Sequence, residues 1–371
     1  MKRTQLYDYH ASHAKLTEFA GYEMPVWYTT TPEEHMAVRT KSGIFDVSHM
    51  GRFTVKGKDS GKFLEGLVPT RVQSQPNAKS FYTLLLNDKG GIADDLIIVR
   101  KADEDFLVVV NAANASRDLG HMRGHMGGYD VELDDVTSAS AMIALQGPEA
   151  AKVLQPLVPT TLNELKRFRS VETEVLGEKC TLSRTGYTGE DGFEMIVYDA
   201  TLDDPSPASK IWNELAKVSK PCGLGARDSL RLEAGYPLHG SDIDEETNPF
   251  EADLAWVLSA DKTGYVGSEA ISESRTRPPS RVRKGVVLDE GVPRHGFEVL
   301  DVDSRTVGHV TSGTFSPILR KGVALARVSA DVGDQTAAWV KIRDSKKLGH
   351  YVKPPFYDEK LYGWKRQRNG I

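Results

Sequence analysis

Phe81-Tyr82-Thr83-Leu84-Leu85-Leu86-Asn87-Asp88-Lys89-Gly90-Gly91-Ile92-Ala93-Asp94-Asp95-Leu96-Ile97-Ile98-Val99 reads as two β-strands around a glycine-rich hairpin turn. Phe106 to Val110 follows as a third strand, closed by Asn111-Ala112-Ala113-Asn114. Upstream, Thr31-Pro32-Glu33-Glu34 predicts a helix start with Thr31 as cap and Glu34 completing a capping box. Gly43 is expected to stop that helix as a left-handed cap. Downstream, Ala150 to Leu154 and the stretch from Ser206 read as helices, and Cys180 to Arg184 pairs with Phe193 to Tyr198 across a Gly-rich turn. Ser272 to Ser280 holds no apolar residue and two prolines, which predicts a linker. Beyond it, short alternating segments from Gly285 to Ile342 favour a small antiparallel barrel. The class is therefore mixed α/β (α+β).

The whole chain sets the bounds. Its 371 residues suggest two to three domains. Lys+Arg number 47 against 52 Asp+Glu, a net charge of −5, which argues against nucleic acid as a partner. No apolar run approaches the roughly 20 residues of a membrane span. Cys180 and Cys222 are too few for a disulfide framework, and Met1 to His13 lacks the apolar core of a secretory signal, so a reducing cytoplasm is expected.

Three motif-like strings carry little. Gly57-Lys58-Asp59-Ser60-Gly61-Lys62-Phe63 has the outline of a P-loop with wrong spacing and Phe where Ser/Thr should stand. Gly223-Leu224-Gly225 lacks the third glycine of a dinucleotide fingerprint. His121 and His125 stand four apart without a base glutamate, so no metal site is expected.

Four residues ask for a chemical reason. Asp94 and Asp95 sit inside an apolar strand, where alternation sends them to opposite faces without saying which points inward. Glu194 shares a strand face with Ile196 and Tyr198, opposite the apolar Phe193, Met195 and Val197; it is either a surface carboxylate or an acceptor for paired N–H donors of a heterocycle. Arg227 falls in the first turn of a helix ended by Gly235, where the macrodipole disfavours a cation unless an anion lies near.

Six strings in order resemble the T-protein family of the glycine cleavage system, tetrahydrofolate-dependent aminomethyltransferases. They are Phe45 to Gly51, Gly90 to Leu96, Ala144 to Pro148, Arg184 to Glu194, Gly223 to Gly235 and Thr311 to Pro317, and the resemblance runs from Tyr7 to about Trp364. It implies a three-lobed fold: a folate-binding region over 1–271 made of two interleaved α/β domains, a linker at 272–280 and an antiparallel β-barrel over 281–371. By the same matching Asp95 is the implied catalytic and inward-facing aspartate. Glu194 is the pterin-binding glutamate, with Met50, Leu84, Val109, Asn111, Tyr187, Arg227 and Trp256 completing the folate pocket. The implied partner is the lipoylated H-protein, whose aminomethyl group passes its methylene to tetrahydrofolate with release of ammonia. No metal and no covalent enzyme intermediate is implied. The alternatives on this scaffold are a tetrahydrofolate-dependent demethylase of a small methylated compound and a folate-binding protein without transferase chemistry. The latter is marked by a Lys-Gly-Cys stretch where this chain has Arg184-Thr185-Gly186-Tyr187.

Overall fold

The structure is a computed structural model describing residues 1–332 and 337–366; the remainder of the barrel region, 333–336 and 367–371, lies outside the described residues. The opening hairpin pairs Lys79–Leu86 with Ile92–Ala102 in antiparallel register, Leu84 opposite Asp95. Asn87 closes its turn by accepting N–H bonds from Lys89 and Gly91 on its side-chain oxygen, and Gly90 takes the required positive φ of 77°. With Asp105–Val110, Gly51–Lys56 and Glu132–Asp135 these strands form a five-stranded antiparallel sheet.

A second sheet of six strands runs in the order Ser170–Val175, Glu178–Ser183, Gly192–Tyr198, Ser140–Gln146, Gly43–Asp46, Lys220–Pro221. The chain enters this sheet at Gly43, leaves to build the five-stranded sheet, then returns at Ser140, so the two are interleaved. Ser140–Gln146 is buried at every residue because both its faces are covered. Ala141, Ile143 and Leu145 join Trp212 and Ile211 of the helix Ser206–Ala216 in one core. Met142 and Ala144 meet Val99, Leu107 and Val109 of the other sheet in a second, so the sheets pack face to face.

The segments after Ser280 close a six-stranded antiparallel barrel: Arg281–Leu288, Lys321–Ser329, Thr306–Ser316, Glu298–Leu300, Ala337–Ile342 and Ser345–Val352. It docks on the helix Leu224–Glu233. Arg231 bonds Asp242 at 2.6 Å and the Ser312 hydroxyl at 2.8 Å, and Ser316 donates to Glu233 at 2.5 Å.

Three local expectations change. Thr30, not Thr31, caps the helix Thr31–Thr40 by accepting from the Glu33 N–H. Glu34 is fully buried instead of capping, and takes the N–H groups of Tyr28, Thr29 and Gly223. Gly43 opens a strand rather than capping a helix: a Cβ there would lie 2.5 Å from Val38 Cγ2 and 2.7 Å from Cys222 Sγ, so close packing demands glycine. In the stretch read as linker, Ser272 to Arg275 belongs to the helix Ser268–Arg275; that helix buries only Ile271, so an otherwise polar sequence suffices.

Candidate functional site

Strand alternation now decides the aspartate question. Leu96 and Ile98 join the core beneath the helices Ser60–Leu67 and Ala115–Gly124, and Asp94 shares their face, fully buried. Val99 and Ile97 face the space between the sheets, and so does Asp95, which is only partly covered. The fully enclosed carboxylate is thus Asp94, whereas Asp95 keeps partial exposure on the face turned to the other sheet. Both still touch one group, because the Asn111 amide donates to Asp94 Oδ1 and to Asp95 Oδ1, each at 2.8 Å.

Glu194 reaches the same inter-sheet space from the opposite sheet. Phe193, Met195 and Val197 point to the helix-covered core, which turns Glu194 and Ile196 toward the five-stranded sheet. The Thr185 hydroxyl donates to Glu194 Oε2 at 2.5 Å. Burial raises the affinity of Glu194 for a proton, opposed by the Thr185 bond and the charge of Arg227.

Arg227 enters from the helix Leu224–Glu233, whose Ala226 and Leu230 fill the inter-sheet core. Its guanidinium lies 4.8 Å from the Tyr187 ring centre and within 3.6 Å of Met50 Sδ. Among the described residues no carboxylate comes within ion-pair distance of it, unlike Arg231 one turn on. Burial therefore lowers its proton affinity.

Tyr187 joins the two ends of the cleft, since its phenol feels both Asp95 and Arg227. Its hydroxyl donates to the Pro237 carbonyl, and its ring stacks on Tyr236 at 5.9 Å. Trp256 is 69% exposed and stacks on Tyr82 at 5.6 Å. Leu84 and Val109 are 0% and 3% exposed, so they back the walls rather than face the opening.

Sequence reasoning missed Tyr82, Thr185, Asn114, Asp118 and His239. The buried Tyr82 hydroxyl lies against the Asp95 carboxyl without a well-aligned partner of its own. Tyr82 stands two residues before Leu84, so alternation alone puts both on one strand face. Asn114, Asp118 and Met122 are spaced by four and are all buried, a helix-face signal that was available. Nothing in the sequence brings His239 near; it bonds Asn114 at 3.0 Å across a long loop. Burial and the neighbouring Asp94 charge hold Asp95 up at about 6.

The arrangement offers a negative group at one end, a guanidinium with no carboxylate ion pair among the described residues and a buried carboxyl at the other, and aromatic rings between. That suits an elongated, partly aromatic ligand with both N–H donors and anionic groups. Among the described residues no three His, Cys, Asp or Glu side chains cluster to hold a metal, and no helix is long and apolar enough to cross a membrane.

Fold and cleft together define an interleaved two-sheet protein closed by a barrel. The GCVT N-terminal domain matches residues 6–262, and the glycine cleavage T-protein C-terminal barrel domain matches residues 281–358. The chain is 42% identical to the aminomethyltransferase of Thermotoga petrophila over 96% of its length and 98% of that relative's. It is 43% identical to the Thermus thermophilus aminomethyltransferase, over 88% of this chain and 91% of that one. A crystal structure of the glycine cleavage system aminomethyltransferase T from Bartonella henselae superposes with a TM-score of 0.90 at 33% identity, covering 98% of this chain and 99% of the other. This chain belongs to the glycine cleavage T-protein family of aminomethyltransferases.

Proposed function

We propose that the protein transfers the methylene of an aminomethyl group, carried on the lipoyl arm of the H-protein, to tetrahydrofolate, releasing ammonia and forming 5,10-methylenetetrahydrofolate. What supports this reading is that Asp95 and Glu194 are turned to the inter-sheet space from opposite sheets, linked through Tyr187 and through an Arg227 that has no carboxylate ion-pair partner among the described residues. The fit to a folate rests on that donor set. Glu194 keeps an oxygen for paired N–H groups of a pterin, the Tyr82, Trp256 and Tyr187 rings suit its flat body, and Arg227 suits an electron-rich or anionic part. Met50, Leu84, Val109 and Asn111 complete the walls in this assignment.

Bound tetrahydrofolate supplies the nucleophilic nitrogens that take up the one-carbon unit. The residues supply placement and charge. Asp95, ionised and fixed by the Asn111 amide, stabilises the positive charge that develops as the methylene changes hands. Glu194 and Thr185 fix the far end of the cleft, and Tyr187 holds Arg227 in line. The folate-binding body is assigned to 1–271 and the barrel to 281–371, with 276–280 the remaining tie after the helix ending at Arg275. The buried, free Cys180 and Cys222 favour a cytoplasmic setting.

The test is Asp95→Asn. The variant is expected to fold and bind tetrahydrofolate normally while losing about 10²-fold or more in turnover with aminomethyl-loaded H-protein. Unchanged turnover sinks the assignment of Asp95.

A further inference from the structure

We propose that Asp94 and Asp118 share one proton as a buried carboxyl pair behind the cleft, and that the charge left on Asp94 positions the Asp95 carboxyl through the Asn111 amide. The first half stands on the resting protein alone; the second deepens the transfer reading and rests on Asp95 having the role given above.

Asp94 is fully buried and Asp118 is 1% exposed. Asp94 accepts three N–H bonds: the Asn111 backbone N–H at 3.0 Å, its side-chain amide at 2.8 Å, and the Asn114 amide at 2.6 Å. Asp118 has no such supply. Its Oδ1 faces Arg117 Nε at 3.5 Å, and its Oδ2 is buried with no N–H or O–H donor in reach. Asp118 stands one helical turn after Asn114, its N–H bonding the Asn114 carbonyl at 2.9 Å, and the same Asn114 holds Asp94, so the Asp118 carboxyl comes within hydrogen-bonding reach of Asp94. Two ionised carboxylates in a site closed to water repel strongly, so one must hold a proton. The three donors favour the charge on Asp94, which leaves the proton on Asp118, where the orphaned oxygen becomes an O–H donor to Asp94. Burial and the Asp94 charge accordingly hold Asp118 up at about 9.

The Asn111 amide carries this arrangement to the cleft. Its two hydrogens are divided between Asp94 and Asp95, and a flipped amide would point its oxygen at both carboxylates. Asn114 is held in the same way, its amide nitrogen 3.0 Å from His239 Nδ1, and His239 Nε2 lies 3.1 Å from the Ile92 carbonyl oxygen. The groups facing Asp95 are therefore Asp94, Asn111, Tyr82, Tyr187 and His239; those facing Asp118 are Asp94 and Arg117. Asp94 is a positioning residue in this scheme, because it reaches Asp95 only through Asn111 and through its field.

The experiment is a carboxyl ¹³C NMR titration of the full chain with labelled aspartate. One aspartate is expected to keep the shift of a protonated carboxyl to above pH 8, and that signal should vanish in Asp118→Asn. No carboxyl protonated above pH 7 overturns the pair. The Asp95 signal, identified by its loss in Asp95→Asn, should titrate lower by about one pH unit in Asp94→Asn. If Asp94→Asn fails to fold, Asn111→Ala supplies the test: losing the donor should move the Asp95 titration upward. An unmoved Asp95 in the folded variant overturns the positioning role. All these readings are taken without substrate, so an Asp95 with no part in transfer leaves them intact, and the two failures are distinguishable.

Discussion

Asp95 links the cleft's geometry to a pH dependence. Its carboxyl is held up at about 6 by burial and by Asp94, and the transfer role proposed for it uses the ionised form. kcat/KM should therefore fall as pH drops through about 6, with an acid limb that Asp95→Asn removes; a profile flat from pH 5 to 8 contradicts this. Asp118 makes a stability prediction. Its folded pKa, about 9, lies far above the ordinary aspartate value, so between pH 7 and 8 the folded state holds a proton that the unfolded chain has released. Stability from this group falls with rising pH, by up to about 1.4 kcal/mol per unit. Asp118→Asn should flatten that slope in urea titrations. Asp46 behaves oppositely: burial opposes its charge, but His10 and Ser48 hold it at about 2, so its stabilisation is present above about pH 4 and is lost as pH falls toward 2. Residue identities alone could flag Asp94 and Asp95 as odd, but only the face-to-face sheets show that Asp94 is fully sealed while Asp95 keeps partial exposure.

Hairpins and helices were legible where turn chemistry and period agree. Asn87 to Gly91 announces its hairpin, and the Phe193, Met195, Val197 alternation placed Glu194 correctly on the opposite face. Ser345–Val352 was not legible: Lys346, Lys347 and His350 mask its alternation, and only pairing with Ala337–Ile342 and Arg281–Leu288 makes it a barrel strand. The cap of the helix Thr31–Thr40 lies one residue before the expected one, because Thr30 and Thr31 are equivalent as sequence and the buried role of Glu34 is tertiary. Glu34→Ala strands three N–H groups and should cost about 3 kcal/mol or more. Thr30→Ala removes one exposed cap bond and should cost about 1 kcal/mol. Chemical denaturation separates the two, and equal losses would contradict the account of Glu34.

At the scale of the molecule, the helix Leu224–Glu233 belongs to both the cleft and the barrel joint. Arg227 turns into the inter-sheet space, while Arg231 and Glu233 bind the barrel side. The Thr311 to Ser316 string, visible in the sequence only as a family signature, gains a physical reason: Thr311 and Ser312 donate to Asp242, the partner of Arg231. Asp242→Ala leaves Arg231 buried without that partner and should cost about 3–5 kcal/mol, lowering the single melting transition of barrel and body together. Transfer at Asp95 is tested by ammonia release from aminomethyl-loaded H-protein, with and without tetrahydrofolate, by wild type and Asp95→Asn. Wild type is expected to release ammonia only when tetrahydrofolate is present, and the variant to lose that release. A wild type that binds tetrahydrofolate but releases no ammonia, or an Asp95→Asn variant that keeps full release, would contradict it.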